Sequence, residues 1–249
     1  NINIQNYEGK SALMFAIMLN QNNIVDLLLN NEKFDPNESN INLAFYISNS
    51  KQLLKCKSLD VNYIPLRNTN SFKVNNIVIT KTPFIRSIID NDLELFDLIV
   101  QHPSFIKYKT QIKNAILVAL KFNKEKFIQK LLKLLEEFNI DVNSPIFDGD
   151  CLLIKAMMED VNDKTITSIL TCPNFNSKQS NFLNAFKLSY SYFSKQKDQK
   201  QSSINRSTSI EKIKIMDVLY EYDINHDHLI DLKGSSLLSD IYKYIFIDN

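Results

Sequence analysis

Apolar residues in this chain return in short clusters separated by polar turns, and the first two clusters set the pattern. Leu13, Ala16 and Ile17 fall at helical spacing on one face, and Asn20 to Asn23 breaks the run. Ile24, Val25, Leu27, Leu28 and Leu29 then predict a second helix, ended by Phe34-Asp35-Pro36-Asn37. Ahead of the pair, Gly9 suits the positive φ of a tight turn and Ser11 is placed to cap the first helix. The predicted unit is a turn, a short inner helix, a second turn, an outer helix and a loop.

Weaker copies follow. A shortened second copy has Leu43, Ala44 and Ile47, then Leu53-Leu54 and the exit Leu59-Asp60-Val61-Asn62, without a Gly. The third runs Thr82-Pro83-Phe84-Ile85-Arg86-Ser87, then Leu93, Leu95, Phe96, Leu98 and Ile99, ending at His102-Pro103. Pro83 stands where a first-turn proline sacrifices no hydrogen bond. A fourth pairs Asn114–Ala119 with Phe127, Ile128, Leu131 and Leu132, and exits by Ile140-Asp141-Val142-Asn143. The fifth has Asp148-Gly149-Asp150-Cys151-Leu152-Leu153-Ile154-Lys155-Ala156, then Ile166, Ile169 and Leu170. The boundaries predicted for the series are 6–37, 40–62, 80–105, 111–143, 147–176, 181–225 and 231–249.

Two stretches interrupt it. Around Arg67-Asn68-Thr69-Asn70, the β-prone Tyr63–Leu66 and Phe72–Ile79 predict an extended hairpin finger over 63–79. Residues 194–210 are polar and nearly free of apolar side chains, too little to offset the entropy of ordering. A mobile loop or an outer-helix extension is expected there.

The phrase Ser11-Ala12-Leu13-Met14-Phe15-Ala16, followed by a Val-x-x-Leu-Leu helix and an Asp-x-Asn exit, resembles the ankyrin repeat, whose usual phrase is T-P-L-H-x-A. Ala12 stands where that family prefers Pro, and Met14 where it prefers His. The resemblance spans nearly the whole chain at a period of about 33 residues. It implies an all-α solenoid of stacked helix-turn-helix units, one domain over residues 1–249, that binds a protein partner on its concave surface. By position in the repeat, Tyr7, Glu8, Lys10 and Met18, with Phe147, Asp148 and Asp150, are the expected partner contacts.

Composition narrows the alternatives. Among 249 residues there are 3 Gly, 6 Pro and no Trp, which favours helices, and a formal charge of +1 gives no field to draw nucleic acid or an anionic membrane. The basic run Lys195, Lys197, Lys200 and Arg206 reads as a solvated loop, and Arg206–Ser209 as a Ser-rich linker open to phosphorylation. No apolar run approaches the roughly 18 residues of a membrane span. The abundance of Asn reads as a coding bias more than a physical device.

Three Cys (56, 151 and 172) in no CxxC spacing argue against a disulfide framework and for reduced thiols in the cytoplasm, with Cys151 and Cys172 expected buried and inert. His226-Asp227-His228 invites a metal reading, and Asp223, Asn225 and Asp227 imitate a calcium loop. The repeat explains the first as an exposed loop, and the second lacks the loop's Gly and its bidentate Glu. No GxGxxG, P-loop, HExxH or GxSxG phrase occurs, so neither an enzyme nor a cofactor or metal is expected. The opening at Asn1, without Met, suggests a piece of something longer. The expected function is a non-catalytic protein-interaction scaffold. The alternatives are a targeting or autoinhibitory segment of a larger enzyme, channel or ubiquitin ligase, or a solenoid that self-associates.

Overall fold

Four of the helices begin where a side-chain oxygen accepts from an unpaired N–H, and several end where an asparagine turns left-handed. The Ser11 hydroxyl accepts from Met14 N at 3.3 Å and opens α1 (Ala12–Met18). Thr82 does the same for Ile85 N at 3.2 Å, ahead of Pro83 at the first position of α4 (Pro83–Ile89). The Asp92 carboxylate accepts from Leu95 N at the start of α5 (Leu93–Gln101), and Asn162 caps α9 (Asp163–Leu170) through Thr165 N. Each such cap satisfies a donor that the helix itself leaves open.

The C-terminal ends correct the coding-bias reading of Asn. Asn20, Asn91, Asn123 and Asn139 follow α1, α4, α6 (Lys109–Lys121) and α7 (Glu125–Glu137), with φ of 54°, 60°, 47° and 48°. At each, the Asn N–H and that of the next residue bond back into the last turn, as in Asn91 N to Ile88 O (3.2 Å) and Asp92 N to Ser87 O (2.8 Å). This is the Schellman ending, in which Gly is the usual residue because left-handed backbone crowds a Cβ. Asn tolerates that region better than other side chains, and this Gly-poor chain uses it in Gly's place. Gly9, at φ 76°, makes the one left-handed turn among the described residues that does not use Asn.

The computed structural model describes residues 1–65, 70–74, 77–105, 109–144, 150–159 and 161–176. The repeats expected at 181–225 and 231–249, the 194–210 insertion and the His226–His228 cluster lie outside them. The described residues are mostly helical, with nine α-helices and one two-stranded hairpin. The chain divides into two compact units, 1–127 and 128–249.

In the first unit α1 packs on α2 (Asn22–Leu29) and on α3 (Ile41–Ser48), α3 packs on α4, and α4 packs on both α5 and α6. The second pair has only a five-residue 3-10 turn, Lys51–Lys55, where an outer helix would stand, in line with the shortened sequence there. Its Leu53 is fully buried. The centre is aromatic: Phe84 stacks on Phe96 with centroids 5.1 Å apart, Phe105 lies 5.2 Å from Phe84, and Phe127 meets Phe96 edge-on at 5.3 Å. In the second unit α8 (Leu152–Met158) packs on α9.

The exit asparagines bolt successive loops together within each unit. Asn143 Nδ2 donates to Asn174 O and its Oδ1 accepts from Asn176 N, at 2.6 and 2.7 Å. Asn3 Nδ2 donates to Lys33 O and its Oδ1 accepts from Asp35 N and the Ser39 hydroxyl. Asn62 Nδ2 donates to Ser104 O. These side chains stitch each loop to a later one, and at Asn62 and Asn143 this gives the Asp-x-Asn phrase a physical cause.

The finger is built differently from the sequence reading. Its strands are β1 (Ser71–Val74) and β2 (Ile77–Thr80), antiparallel, with Val74 opposite Ile77 and Phe72 opposite Ile79. Only residues 75 and 76 separate them, so the stretch expected as one strand, Phe72–Ile79, is itself the hairpin. Residues 63–65 are not a strand. Alternation decides the matter: Val74 and Ile79 are buried, whereas Ser71 and Val78 face outward.

Candidate partner-binding surface

The residues expected to meet a partner fall into three groups. Tyr7, Glu8 and Lys10 share the loop between Gln5 and Ser11, which bridge each other as in a tiny hairpin. Gly9 supplies its left-handed position, and the Asn6 carboxamide oxygen holds it by accepting from Glu8 N and Lys10 N, both at 2.9 Å. Tyr7 projects from the tip at 97% exposure, while Glu8 and Lys10 pair with each other at 2.8 Å. Met18, 56% exposed, ends α1. In the second unit Asp150 is engaged by the buried Lys155 ammonium at 3.0 Å. An ammonium in that position needs its counter-charge, so Asp150 is tied to holding Lys155 as well as exposed in part. Phe147 and Asp148 lie outside the described residues.

Beside Met18, a further set went unread in the sequence. Helices of the first unit expose apolar side chains: Phe15 (43%) on α1, Ile47 (53%) on α3, and Phe122 (45%) just beyond α6. The second unit repeats this with Met158 at the end of α8. Three of these residues, Met18, Ile47 and Met158, stand seven positions after the N-cap of their helix. The register of each inner helix, counted from its cap, was the available signal.

Among them sits Arg86 on α4. Its guanidinium lies 5.5 Å from the centre of the Tyr46 ring and donates from Nη1 to Ile47 O at 3.0 Å. The Nε and Nη2 edge is shielded from solvent and donates to nothing. Burial pulls this guanidinium below its ordinary value, offset in part by Tyr46 and Asp90. An Arg edge of that kind matches the two oxygens of a carboxylate.

Between the finger and the inner helices lies a cleft of about 330 Å3 lined by Asn62, Ile64, Val78, Thr80, Thr82, Ile85, Gln111 and Asn114. None of the eight is charged. Thr82 is committed to its cap and Asn62 Nδ2 to Ser104 O, but the side-chain oxygens of Asn62 and Gln111 accept no hydrogen bond.

Burial pushes the Cys151 and Cys172 thiols up, away from the thiolate, although Cys172 is half-buried and not fully enclosed as expected. All three Cys are unpaired with one another. Among the described residues no group of His, Cys, Asp and Glu could hold a metal ion, and no helix is long and apolar enough to cross a membrane. Comparison with protein-family models, curated proteins and solved structures gave no match. The reading of function therefore rests on the geometry alone.

Proposed function

We propose that the chain is an ankyrin-type solenoid acting as a non-catalytic scaffold that binds a protein partner along its inner helices and the loops before them. The observation that carries this reading is the exposure of Phe15 and Met18 on α1, Ile47 on α3 and Phe122 just beyond α6. Exposed aromatic and Met side chains flanked by polar groups are the composition of an interface centre. The projecting Tyr7 serves as a rim anchor.

The test uses the full chain as bait in a cell extract, with three variants. Phe15→Glu combined with Ile47→Glu should lose the captured partner while melting with the parent, since both side chains are already in water. Leu27→Glu, at a more exposed position on an outer helix, should retain it. Equal retention by all variants would remove the inner helices from the interface.

A further inference from the structure

We propose that the cleft between the finger and helices α4 and α6 is a pocket for a primary carboxamide, the side chain of an Asn or Gln carried by the partner polypeptide. The inference rests on the scaffold reading above and gives it a ligand chemistry. Its walls are Ile64, Val78 and Ile85, with Ile64 and Val78 forming an exposed apolar rim at 48% and 60%. The polar groups converge from two elements: Thr80 on β2, and Gln111 and Asn114 three residues apart on one face of α6.

Charge decides the class of ligand. Among the described lining residues there is no carboxylate, Lys or Arg, so a cation or an anion held by these residues would be stripped of water without a counter-charge from them. A neutral apolar group would fit the walls but leave the polar side chains unpaired. A carboxamide does neither. Its N–H groups can donate to the Gln111 oxygen, which gives up no protein hydrogen bond by turning toward a ligand, and its carbonyl can accept from the Asn114 amide or the Thr80 hydroxyl. A few convergent polar groups within apolar walls are the usual build of a small specific pocket, and about 300 Å3 is the lower end of its usual size. The stem of the Gln or Asn would cross the Ile64 and Val78 rim.

The experiment needs no knowledge of the partner. The isotopically labelled full chain is titrated with propionamide, propionate and n-propylammonium at constant ionic strength. Amide and side-chain signals of Ile64, Val78, Thr80, Gln111 and Asn114 are followed by NMR. Propionamide should bind in the millimolar range expected of so small a ligand and perturb these signals, with the two ions weaker by about tenfold or more. Asn114→Ala should weaken propionamide about fivefold, the worth of one neutral hydrogen bond. Gln111→Glu keeps the shape, adds a charge and should reverse the order in favour of n-propylammonium, which a merely structural Gln would not produce. Three results would overturn the proposal: no cleft signals moved by propionamide, equal binding of all three probes, or an unchanged order in Gln111→Glu. Such a failure leaves the scaffold reading standing. That reading is tested separately by partner capture with the Phe15 and Ile47 variants.

Discussion

Helices α2 and α5 of the first unit carry nearly the same apolar pattern and meet different fates. In α2, with the sequence Asn-Asn-Ile-Val-Asp-Leu-Leu-Leu, only Val25 is buried, and Leu27 is 71% exposed. In α5, Leu95, Phe96 and Ile99 are all buried to 2% or less. The cause lies in the neighbours. On one side α2 has the five-residue 3-10 turn, linked to it through polar side chains: Gln52 to Asn22 O and Asp26 at 3.4 and 3.5 Å, and Lys55 to Asp26 at 3.6 Å. By contrast α5 receives the ring of Phe127 and that of Phe84, and Lys51 closes its N-terminus by pairing with Asp92 and Glu94 at 2.9 and 2.6 Å. A helix in a stack is buried by what its neighbours bring, and its own periodicity says only which face is available.

The largest effect expected from this difference is at Phe96. Phe96→Ala empties the centre of the aromatic cluster and should cost about 3–5 kcal/mol, read as a lower urea midpoint with an unchanged slope. A loss under about 1 kcal/mol would mean that the cluster collapses around the gap and that α5 is no better anchored than α2.

The turn into α5 gives an intermediate effect. Asn91 holds φ 60° between α4 and α5, where a Cβ without a polar partner is strained. Asn91→Ala should destabilise by about 1–2 kcal/mol, the cost of left-handed backbone for an ordinary residue, whereas Asn91→Gly should stay close to the parent. Thermal melts of the two variants side by side check this. Equal melting would show that the Asn side chain, not the backbone, is what the site selects.

The parts of the molecule legible from sequence were those specified by local chemistry. Ser11, Thr82 and Pro83 act at the helix starts as their residue types dictate, and Gly9 takes the turn assigned to it. The left-handed asparagines were missed because Asn is common everywhere in the chain, and only position after a helix distinguishes Asn91 from its neighbours. The finger was located but mis-threaded, since its register is set by burial of Val74 and Ile79 against the rest of the unit, which periodicity within 63–79 does not contain. Of the surface, the turn carrying Tyr7 was legible from Gly9. The Arg86 edge and the cleft at Gln111 and Asn114 were not, because each is made by elements distant in sequence: Arg86 meets Ile47 across 39 residues, and the cleft joins Asn62 to Asn114.

The smallest expected effect sharpens the comparison most. If neighbours decide burial, the apolar face of α2 contributes little to the stability of the chain despite its sequence. Leu27→Ala should then change stability by no more than about 0.5 kcal/mol, the range of an exposed site, although the same residue type within α5 at Leu95 would cost several-fold more. Leu27→Lys, by removing an exposed apolar side chain, should also reduce any concentration-dependent association seen by light scattering, without moving the melt. A destabilisation by Leu27→Ala comparable to that at Leu95 would require a covering group on α2, and the contrast between the two helices would then be one of degree in packing and not one of presence or absence of a neighbour.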